Sequence, residues 1–402
     1  MTRNIARMER PSSTILSAVR TPIGKFGGLL SKKTAVELAT VAVKEALSRA
    51  GVPAEAVDLT IVGHARQAGN GPNPARQVAV AAGIPQTSTA WTLNQACASG
   101  LSAIDQAHRA LLLGEAEVVV AAGMESMSRV PYMLENARWG LRLGHDQITD
   151  GMYKDGLFCP MAGVIMGETV ETLVDDLGIS REEQDDYAAQ SQQKCQAARE
   201  AGRFDDEIVA VQLKKDGPMT RDEHPRDGVT SAGLAKMPPV YKLAHRTGTI
   251  SAANASGITD GASALVLTTE KKAREMGWST FARYGGGVTV GCEPERMGLG
   301  PVHAVKELFR RRPELSLESF DLFELNEAFA AQVLACLRHL PIPAEKLNVN
   351  GGSIALGHPI GCSGNRIVVT LLHELRRRGG GQGLASLCVS GGLGIAGVFQ
   401  VD

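Results

Sequence analysis

The chain repeats part of itself, and this internal duplication constrains its fold more than any other feature. Three pairs of segments correspond in the same order, at offsets of about 263 to 266 residues: Asp58-Leu59 with Asp321-Leu322, Ala98-Ser99-Gly100 with Cys362-Ser363-Gly364, and Val118–Ala122 with Leu384–Val389. Three correspondences at almost constant spacing indicate two homologous halves. An active site is then expected where the two halves meet.

Strand-like and helix-like segments alternate along the chain. Ser13–Val19 and Glu117–Ala122 are continuous apolar runs, typical of strands that are covered on both faces. An amphipathic helix is predicted from about Thr34 to Ala50, with Gly51 ending it. This alternation predicts an α/β fold with helices on both sides of a sheet. From about 126 to 250 the chain is richer in charge and methionine, which indicates an insertion.

Composition and charge exclude several classes of protein. The 42 basic and 43 acidic residues among 402 nearly cancel, so nothing drives the chain toward nucleic acid or a membrane surface. No apolar run approaches the length of ~20 residues that a membrane span needs. The first 13 residues carry Arg3, Arg7 and Arg10 but no apolar core, which argues against a secretory signal and leaves a short organellar leader open.

The seven cysteines are odd in number, scattered, and include no C-x-x-C pair. They therefore form neither a disulfide framework nor a zinc pattern, and a reducing compartment is expected: the cytoplasm, with an organellar matrix as the alternative. Eight histidines have no ligand spacing, so no metal site is predicted and they are interpreted as surface or structural residues: His64, His108, His145, His224, His245, His303, His339 and His373.

Cys97 stands at the junction between a predicted strand and a predicted helix. After the polar segment 94–96 and the small residues 98–100, apolar residues recur at helical spacing from Leu101 onward. The free N–H groups and the dipole of a helix N-terminus stabilise a thiolate, so this position suits a nucleophile. A single cysteine among apolar residues is equally compatible with simple core packing.

Three further clusters place reactive residue types in loops. Asn326 follows the strand-like segment 320–325, His358 lies between a glycine and a proline, and Cys388 ends a strand-like run before two glycines. Together with Cys97 they supply a nucleophile, a base and a second thiol. That set suits carbon–carbon chemistry on thioesters, which needs an acyl acceptor, a base and an oxyanion hole.

These motifs give the chain a resemblance to the thiolase superfamily over nearly its whole length. The matching segments are SAVRTPIGKFGG, QAGNGPNPARQ, NQACASG, AAGMESMS, ISREEQDDYAAQSQQK, AGRFDDEIV, NASGITDGA, FELNEAFAAQ, NVNGGSIALGHPIGCSG and LCVSGGLG. The resemblance implies the thiolase fold: two homologous βαβαβαβ halves with stacked sheets, in five αβαβα layers, and an inserted loop domain. The implied boundaries are 1–125, 126–250 for the loop domain, 251–277 for the end of the first half, and 278–402.

The resemblance also implies a ping-pong acyltransferase, acyl-CoA + acetyl-CoA ⇌ 3-oxoacyl-CoA + CoA. Cys97 would be acylated, and His358 would take its proton. His358 and a water held by Asn326 would form the oxyanion hole for the enolate. Cys388 would move the proton at the α-carbon. A second oxyanion hole would use the backbone N–H groups of Cys97 and Ser390.

Binding of coenzyme A follows from the same resemblance. The implied contacts are Ser256, the tunnel residues Leu157, Met166, Ala328 and Phe329, and Arg226 near the adenosine phosphates. CoA thioesters are substrates, and no metal or organic cofactor is implied. The family forms homodimers or homotetramers, in which the loop domain often contributes to tetramer contacts.

Two positions depart from the family pattern. Ser390 replaces the first of three usual glycines, and Ile165 stands where short-chain biosynthetic members often have histidine. Chain length therefore stays open between an acetyl-CoA C-acetyltransferase and a broader degradative 3-oxoacyl-CoA thiolase of fatty acid β-oxidation. Two other classes remain as alternatives: a non-catalytic acyl-CoA-binding scaffold, and a decarboxylating ketoacyl synthase, which would not need Cys388.

Overall fold

The computed structural model describes residues 11–402, so Arg3, Arg7 and Arg10 lie outside the described residues. The strands are β1 (Ser13–Arg20), β2 (Gly24–Lys25), β3 (Leu59–His64), β4 (Thr89–Leu93), β5 (Val118–Ser126), β6 (Tyr132–Met133), β7 (Thr149–Asp150), β8 (Phe158–Cys159), β9 (Val164–Ile165), β10 (Val211–Gln212), β11 (Pro218–Met219), β12 (Thr259–Thr268), β13 (Ala282–Gly291), β14 (Leu322–Leu325), β15 (Gly381–Val389) and β16 (Leu393–Val401). The helices are α1 (Ala35–Ala50), α2 (Pro74–Ala81), α3 (Ser99–Leu113), α4 (Met166–Leu177), α5 (Arg181–Glu200), α6 (Ser231–Leu234), α7 (Glu270–Met276), α8 (Gly300–Arg311), α9 (Ala330–His339), α10 (Ser353–Leu356) and α11 (Ile360–Arg377).

The sheet topology repeats itself in the two halves of the chain. In the first half, β1–β12 and β12–β5 are antiparallel and β5–β3 is parallel. In the second half, β13–β16 and β16–β15 are antiparallel and β15–β14 is parallel. β1 also pairs with β13, which gives the continuous order β14-β15-β16-β13-β1-β12-β5-β3-β4. The predicted duplication is confirmed.

The apolar core lies in three layers between and outside the sheets. Helices α3 and α11 share one cluster with residues of β5 and β15, and so occupy the middle of the molecule. The other face of β5 packs on α1 and α2, and the other face of β15 packs on α8 and α9. Neighbouring residues of β5 serve different layers, since Val119 faces α3 and Val120 faces α1. This arrangement is the five-layer αβαβα fold that was expected.

Local sequence signals located most helix ends correctly. Helix α1 begins after Thr34, whose side chain forms a capping box with Glu37, and it ends at Gly51 in the left-handed conformation. Helix α5 likewise begins with a capping box, between Ser180 and Glu183. Helix α2 begins where the Asn73 side chain caps it and Pro74 takes the first turn.

The segment 127–258 separates β5 from β12 and carries α4, α5, α6 and six short strands. The assignment of 126–250 as a separate loop domain stays a prediction. No helix in the part of the chain that the structure describes is both long and apolar enough to cross a membrane.

A buried ion-pair cluster attaches this segment to the sheet. Arg20 at the end of β1 is fully buried and donates to Glu207 Oε1 (2.6 Å) and to both carboxylate oxygens of Asp222 (2.7 and 2.9 Å). Its guanidinium also lies 5.2 Å from the ring centroid of Phe204. Because two buried carboxylates depend on one cation, removing it would leave them uncompensated.

We expect Arg20→Ala to lower the free energy of unfolding by about 3–5 kcal/mol, because it leaves the buried carboxylates of Glu207 and Asp222 without a counter-ion. Urea denaturation of the variant and the wild type measures this difference. The matched control is Arg310→Ala, which removes an exposed ion pair with Glu307 and is expected to leave the free energy of unfolding almost unchanged. Equal losses in the two variants would contradict the assignment of Arg20 as an anchor.

Candidate active site

Residues of both halves and of the intervening segment line one cavity of about 190 Å³. Nine of the residues singled out from the sequence are in its wall: Cys97, Leu157, Met166, Ser256, Ala328, Phe329, His358, Cys388 and Ser390. Two others are not. Asn326 is buried beside Ser353 without lining the cavity, and Arg226 lies outside it with its backbone N–H donating to Gln192.

Several lining residues escaped the sequence analysis. Met127, Tyr241, Met297 and Ile360 contribute apolar surface, as does Ile165, which had been noted only as a departure from the family pattern. Tyr241 and Met297 come from segments without any local signal. Met127 could have been found, because it directly follows a run that ends β5 inside a matched motif.

Cys97 lies in a strained turn before a helix. A 3₁₀ turn, Ala96–Ala98, leads into α3, and Ala96 adopts φ 46°, a left-handed conformation that costs free energy for any residue except glycine. The Ser99 hydroxyl holds this turn, because it accepts from the Gln95 N–H (2.8 Å) and donates to the Ala96 carbonyl (2.7 Å). Cys97 therefore lies just before a helix N-terminus, as the sequence predicts.

The protonation state of Cys97 differs from the expectation. Burial raises the pKa of its thiol, and Arg66 together with the backbone N–H groups of Ser390 and Cys97 offsets this only in part. The donors at the helix N-terminus therefore do not outweigh burial, and the net shift of the pKa is opposite to the one that a helix dipole favours. The cause is desolvation, since only 6% of the residue is exposed.

The two backbone donors of the predicted second oxyanion hole meet at the same sulfur. The N–H groups of Cys97 and Ser390 both lie close enough to the Cys97 sulfur to lower the pKa of its thiol. Serine in place of the usual glycine is not strained at position 390, because the positive φ angles fall on Gly391 (87°) and Gly392 (82°) and not on Ser390.

The tautomer of His358 follows from its partner. The Ser363 hydroxyl gives its only proton to the Pro359 carbonyl (3.0 Å), so it must accept from His358 Nδ1 (2.5 Å). The proton of the neutral ring is then on Nδ1, and Nε2 keeps a free lone pair. Within residues 11–402 this Nε2 has no hydrogen-bond partner. Burial, with Arg366 and Arg66 nearby, lowers the pKa of His358 to about 3, so the ring is neutral at physiological pH.

Asn326 presents a second unpartnered polar atom. Its Oδ1 accepts from the Ser353 hydroxyl (2.7 Å), while its Nδ2 has no hydrogen-bond partner in the described part of the chain. Buried polar atoms are rarely left in this state. The Asn326 amide can donate to a bound water or a ligand oxygen, whereas the lone pair of His358 Nε2 needs a donor such as a water or a thiol.

Cys388 supplies a second buried thiol. It lies near the end of β15 and is 1% exposed. Burial, and next the proximity of Cys97, raise the pKa of Cys388 well above its ordinary value. Two neutral thiols and one neutral imidazole therefore share the cavity. Such a set can exchange protons without a permanent charge in an apolar site.

A buried carboxylate that sequence reasoning missed holds the loops around this site. Glu125 accepts from the backbone N–H groups of Ala65 (3.1 Å), Arg66 (3.1 Å) and Gly361 (2.9 Å), and it lies 3.1 Å from His64 Nε2. Burial opposes its ionisation, but the neighbouring His64, the charge of Arg66 and the bond from the Gly361 N–H outweigh burial and lower the pKa of Glu125. His64 is thus a structural residue, as expected. The available signal was an acidic residue at the end of an apolar strand.

No group of three or more His, Cys, Asp or Glu side chains within residues 11–402 is arranged to hold a metal ion.

Comparison with known proteins agrees with this geometry. Residues 13–271 match the family model for the thiolase N-terminal domain, and residues 278–401 match the model for the thiolase C-terminal domain. The acetyl-CoA acetyltransferase of Cupriavidus necator is 46% identical over 386 residues, which cover 95% of this chain and 97% of that protein.

Solved structures give the same result. The acetyl-CoA acetyltransferase of Bacillus anthracis superposes with a TM-score of 0.93 at 45% identity, covering 97% of this chain and 99% of that one. Human mitochondrial 3-ketoacyl-CoA thiolase in complex with CoA superposes with a TM-score of 0.93 at 42% identity, covering 98% of each chain. With both of its halves matched and its cavity built from the motifs of that family, the chain belongs to the thiolases.

Proposed function

We propose that the chain catalyses reversible acyl transfer between CoA thioesters, acyl-CoA + acetyl-CoA ⇌ 3-oxoacyl-CoA + CoA, through an acyl group on Cys97. The observation that carries the proposal is the meeting of two neutral thiols and an unpartnered imidazole nitrogen at one apolar cavity. Relatives named acetyl-CoA acetyltransferase and 3-ketoacyl-CoA thiolase support it, and the CoA complex of the human relative supports CoA as the ligand.

In the cleavage direction, the Cys97 sulfur attacks the 3-oxo carbonyl while its proton passes to His358 Nε2. The oxygen of the tetrahedral intermediate becomes negative and accepts from the N–H groups of Cys97 and Ser390. Because these donors are backbone groups held by the turn and by β15, they need no reorganisation as charge develops.

The C2–C3 bond then breaks, leaving the acyl group on Cys97 and the enolate of acetyl-CoA. The enolate oxygen accepts from the newly protonated His358 Nε2 and, through a water, from Asn326. Cys388 gives its proton to C2, and His358 returns a proton to the Cys388 thiolate. A thiol with a raised pKa is fully protonated at rest, which suits this donor role.

In the second half of the cycle, the CoA thiol attacks the acyl group on Cys97 and its proton returns to the Cys97 sulfur by way of His358. Acyl-CoA is released, and Cys97, His358 and Cys388 are back in their resting protonation states. The reverse sequence is Claisen condensation. Cleavage is the thermodynamically easier direction, because condensation exchanges a thioester for a ketone.

The arm of CoA is proposed to pass Ser256 and the tunnel residues Leu157, Met166, Ala328 and Phe329, all in the cavity wall. Arg226, outside the cavity, is proposed to meet the adenosine phosphates. The acyl group would face Ile165 and Met297, whose apolar surfaces accept a hydrocarbon chain. Chain length stays open between acetoacetyl-CoA and longer 3-oxoacyl-CoA substrates.

The two rival functions have less support. A non-catalytic scaffold would have no need of Cys97, His358 and Cys388 around one cavity, with Asn326 held nearby. A decarboxylating ketoacyl synthase would not need Cys388. In this structure the two thiols are so close that Cys97 raises the pKa of Cys388. Condensation from malonyl donors by Cys388→Ala would favour the synthase.

We propose a reducing compartment, the cytoplasm, because all seven cysteines are free thiols. A homodimer is supported by β4, which ends the sheet with Trp91 39% exposed, since exposed edge strands are normally covered. A homotetramer is supported by a run of exposed apolar side chains after β5: Tyr132, Leu134, Trp139, Leu141, Leu143 and Ile148.

Intact and peptide mass spectrometry tests the acyl intermediate. After mixing with acetyl-CoA, acetoacetyl-CoA or a medium-chain 3-oxoacyl-CoA, we expect an acyl adduct on Cys97 that CoA discharges, and the labelling rates rank chain length. Cys97→Ala is expected to abolish the adduct, whereas Cys292→Ser, at a half-buried thiol outside the cavity, keeps it. A folded, CoA-binding protein that acquires no adduct from any of the three donors would support the scaffold instead.

The resting state predicts how the nucleophile responds to pH. Because the pKa of Cys97 lies above its ordinary value of 9.0, its thiolate fraction, and with it the rate of iodoacetamide alkylation, should rise about tenfold per pH unit up to pH 9. Arg66→Met, which removes a cation that lowers this pKa, should slow alkylation further. Peptide mass spectrometry measures both rates, and a plateau below pH 8 would show that Cys97 is a resting thiolate.

Light scattering coupled to size-exclusion chromatography tests the assembly. We expect a mass of two or four times the 42.5 kDa of one chain, because the edge strand β4 and the apolar run after β5 both need cover. A monomer at micromolar concentration would contradict the proposed interfaces.

A further inference from the structure

We propose that Ser353, oriented by Arg366, is a positioning residue that fixes the amide of Asn326 so that its NH₂ group, and not its carbonyl, is offered to the enolate oxygen. This inference rests on the proposed function, because it assigns Ser353 to the bond-breaking step alone. Nothing in the sequence pattern distinguished Ser353 from its neighbours in the glycine-rich loop.

The side-chain amide of Asn326 has a donor side, the NH₂ group, and an acceptor side, the carbonyl oxygen. A primary amide can rotate by a half-turn and exchange its donor and acceptor sides at almost no steric cost. In Asn326 one side meets the Ser353 hydroxyl at 2.7 Å and the other has no hydrogen-bond partner within residues 11–402. Whichever way the hydroxyl proton points therefore decides which side of the amide stays available.

Arg366 sets the direction of that proton. Its Nη2 lies 3.0 Å from Ser353 Oγ, and a guanidinium can only donate. The Ser353 oxygen thus accepts from Arg366. Its single proton goes to Asn326 Oδ1, because the described residues offer this hydroxyl no other acceptor. Both side chains are fully buried, and Arg366 Nη1 lies 3.9 Å from Glu324 Oε2. The relay from Arg366 to Ser353 to Asn326 consequently runs one way.

The backbone around this relay is fixed as well. The Asn326 N–H donates to the Ser386 carbonyl (2.9 Å), while Glu327 accepts from the Ile354 N–H (3.1 Å) and so holds the turn that carries Ser353. With the backbone fixed at both ends, the remaining freedom of the pair is the rotation of the Asn326 amide, and the Ser353 hydroxyl removes it.

A flipped amide would present its carbonyl to a developing negative charge, directly or through the water. Hydrogen-bond donors aimed in advance at such charge are the main source of stabilisation in oxyanion holes. The relay therefore matters when the enolate forms, and not when Cys97 is acylated by acetyl-CoA, because the latter step uses the N–H groups of Cys97 and Ser390.

The test separates these two steps in Ser353→Ala. Acetylation of Cys97 by acetyl-CoA, followed by rapid quenching and mass spectrometry, should stay within about twofold of the wild type. Cleavage of acetoacetyl-CoA, and exchange of the α-protons of acetyl-CoA with deuterium oxide, should slow about tenfold, the effect of one hydrogen bond. The control Ser17→Ala removes an equally buried hydroxyl bond, to the Ala46 carbonyl, and should leave both steps unchanged.

A second background distinguishes positioning from structural support. In Asn326→Ala there is no amide to orient, so adding Ser353→Ala should cause no further slowing of cleavage. The assignment would be overturned if Ser353→Ala slowed acetylation and cleavage equally, as a variant that fails to fold would do. It would also be overturned if Ser353→Ala slowed cleavage further in the Asn326→Ala background. Absence of acetyl-Cys97 in the wild type would instead overturn the proposed function, and this inference with it.

Discussion

The close packing of α3 on α11 is the contact on which the rest of the structure depends. A Cβ atom at Gly100 would lie 2.5 Å from the backbone nitrogen of Asn365, and one at Gly364 would lie 2.6 Å from that of Leu101. Glycine is therefore required at both crossing points. This approach stacks the two sheets around one pair of helices and brings the turn before α3, with Cys97, to the loop before α11, with His358.

The site then works from neutral groups. Burial dominates the ionisation of every reacting side chain: it raises the pKa of Cys97 and Cys388 and lowers that of His358. The charged groups, Glu125, Arg66 and Arg366, instead lie around the cavity, where each is bonded to the backbone or to a neighbouring side chain. Charge appears in the cavity only during reaction, where fixed N–H donors meet it.

The sequence predicted what depends on local pattern and on motifs. The duplication, the layers, the turn before α3 and nine residues of the cavity wall could be read from it. The sign of the Cys97 pKa shift could not, because desolvation depends on Met127, Met152 and Ile360, which pack around Cys97 from distant parts of the chain. The relay through Ser353 was equally invisible, since Arg366 and Asn326 reach it from different elements.

The duplication explains why the nucleophile and the base are held alike. Ser99 and Ser363 are equivalent residues of the two halves, each at the start of a central helix. The Ser99 hydroxyl holds the turn that carries Cys97, and the Ser363 hydroxyl accepts from His358 Nδ1. Two equivalent serines thus have matching roles, one supporting the residue that takes the acyl group and the other supporting the residue that takes its proton.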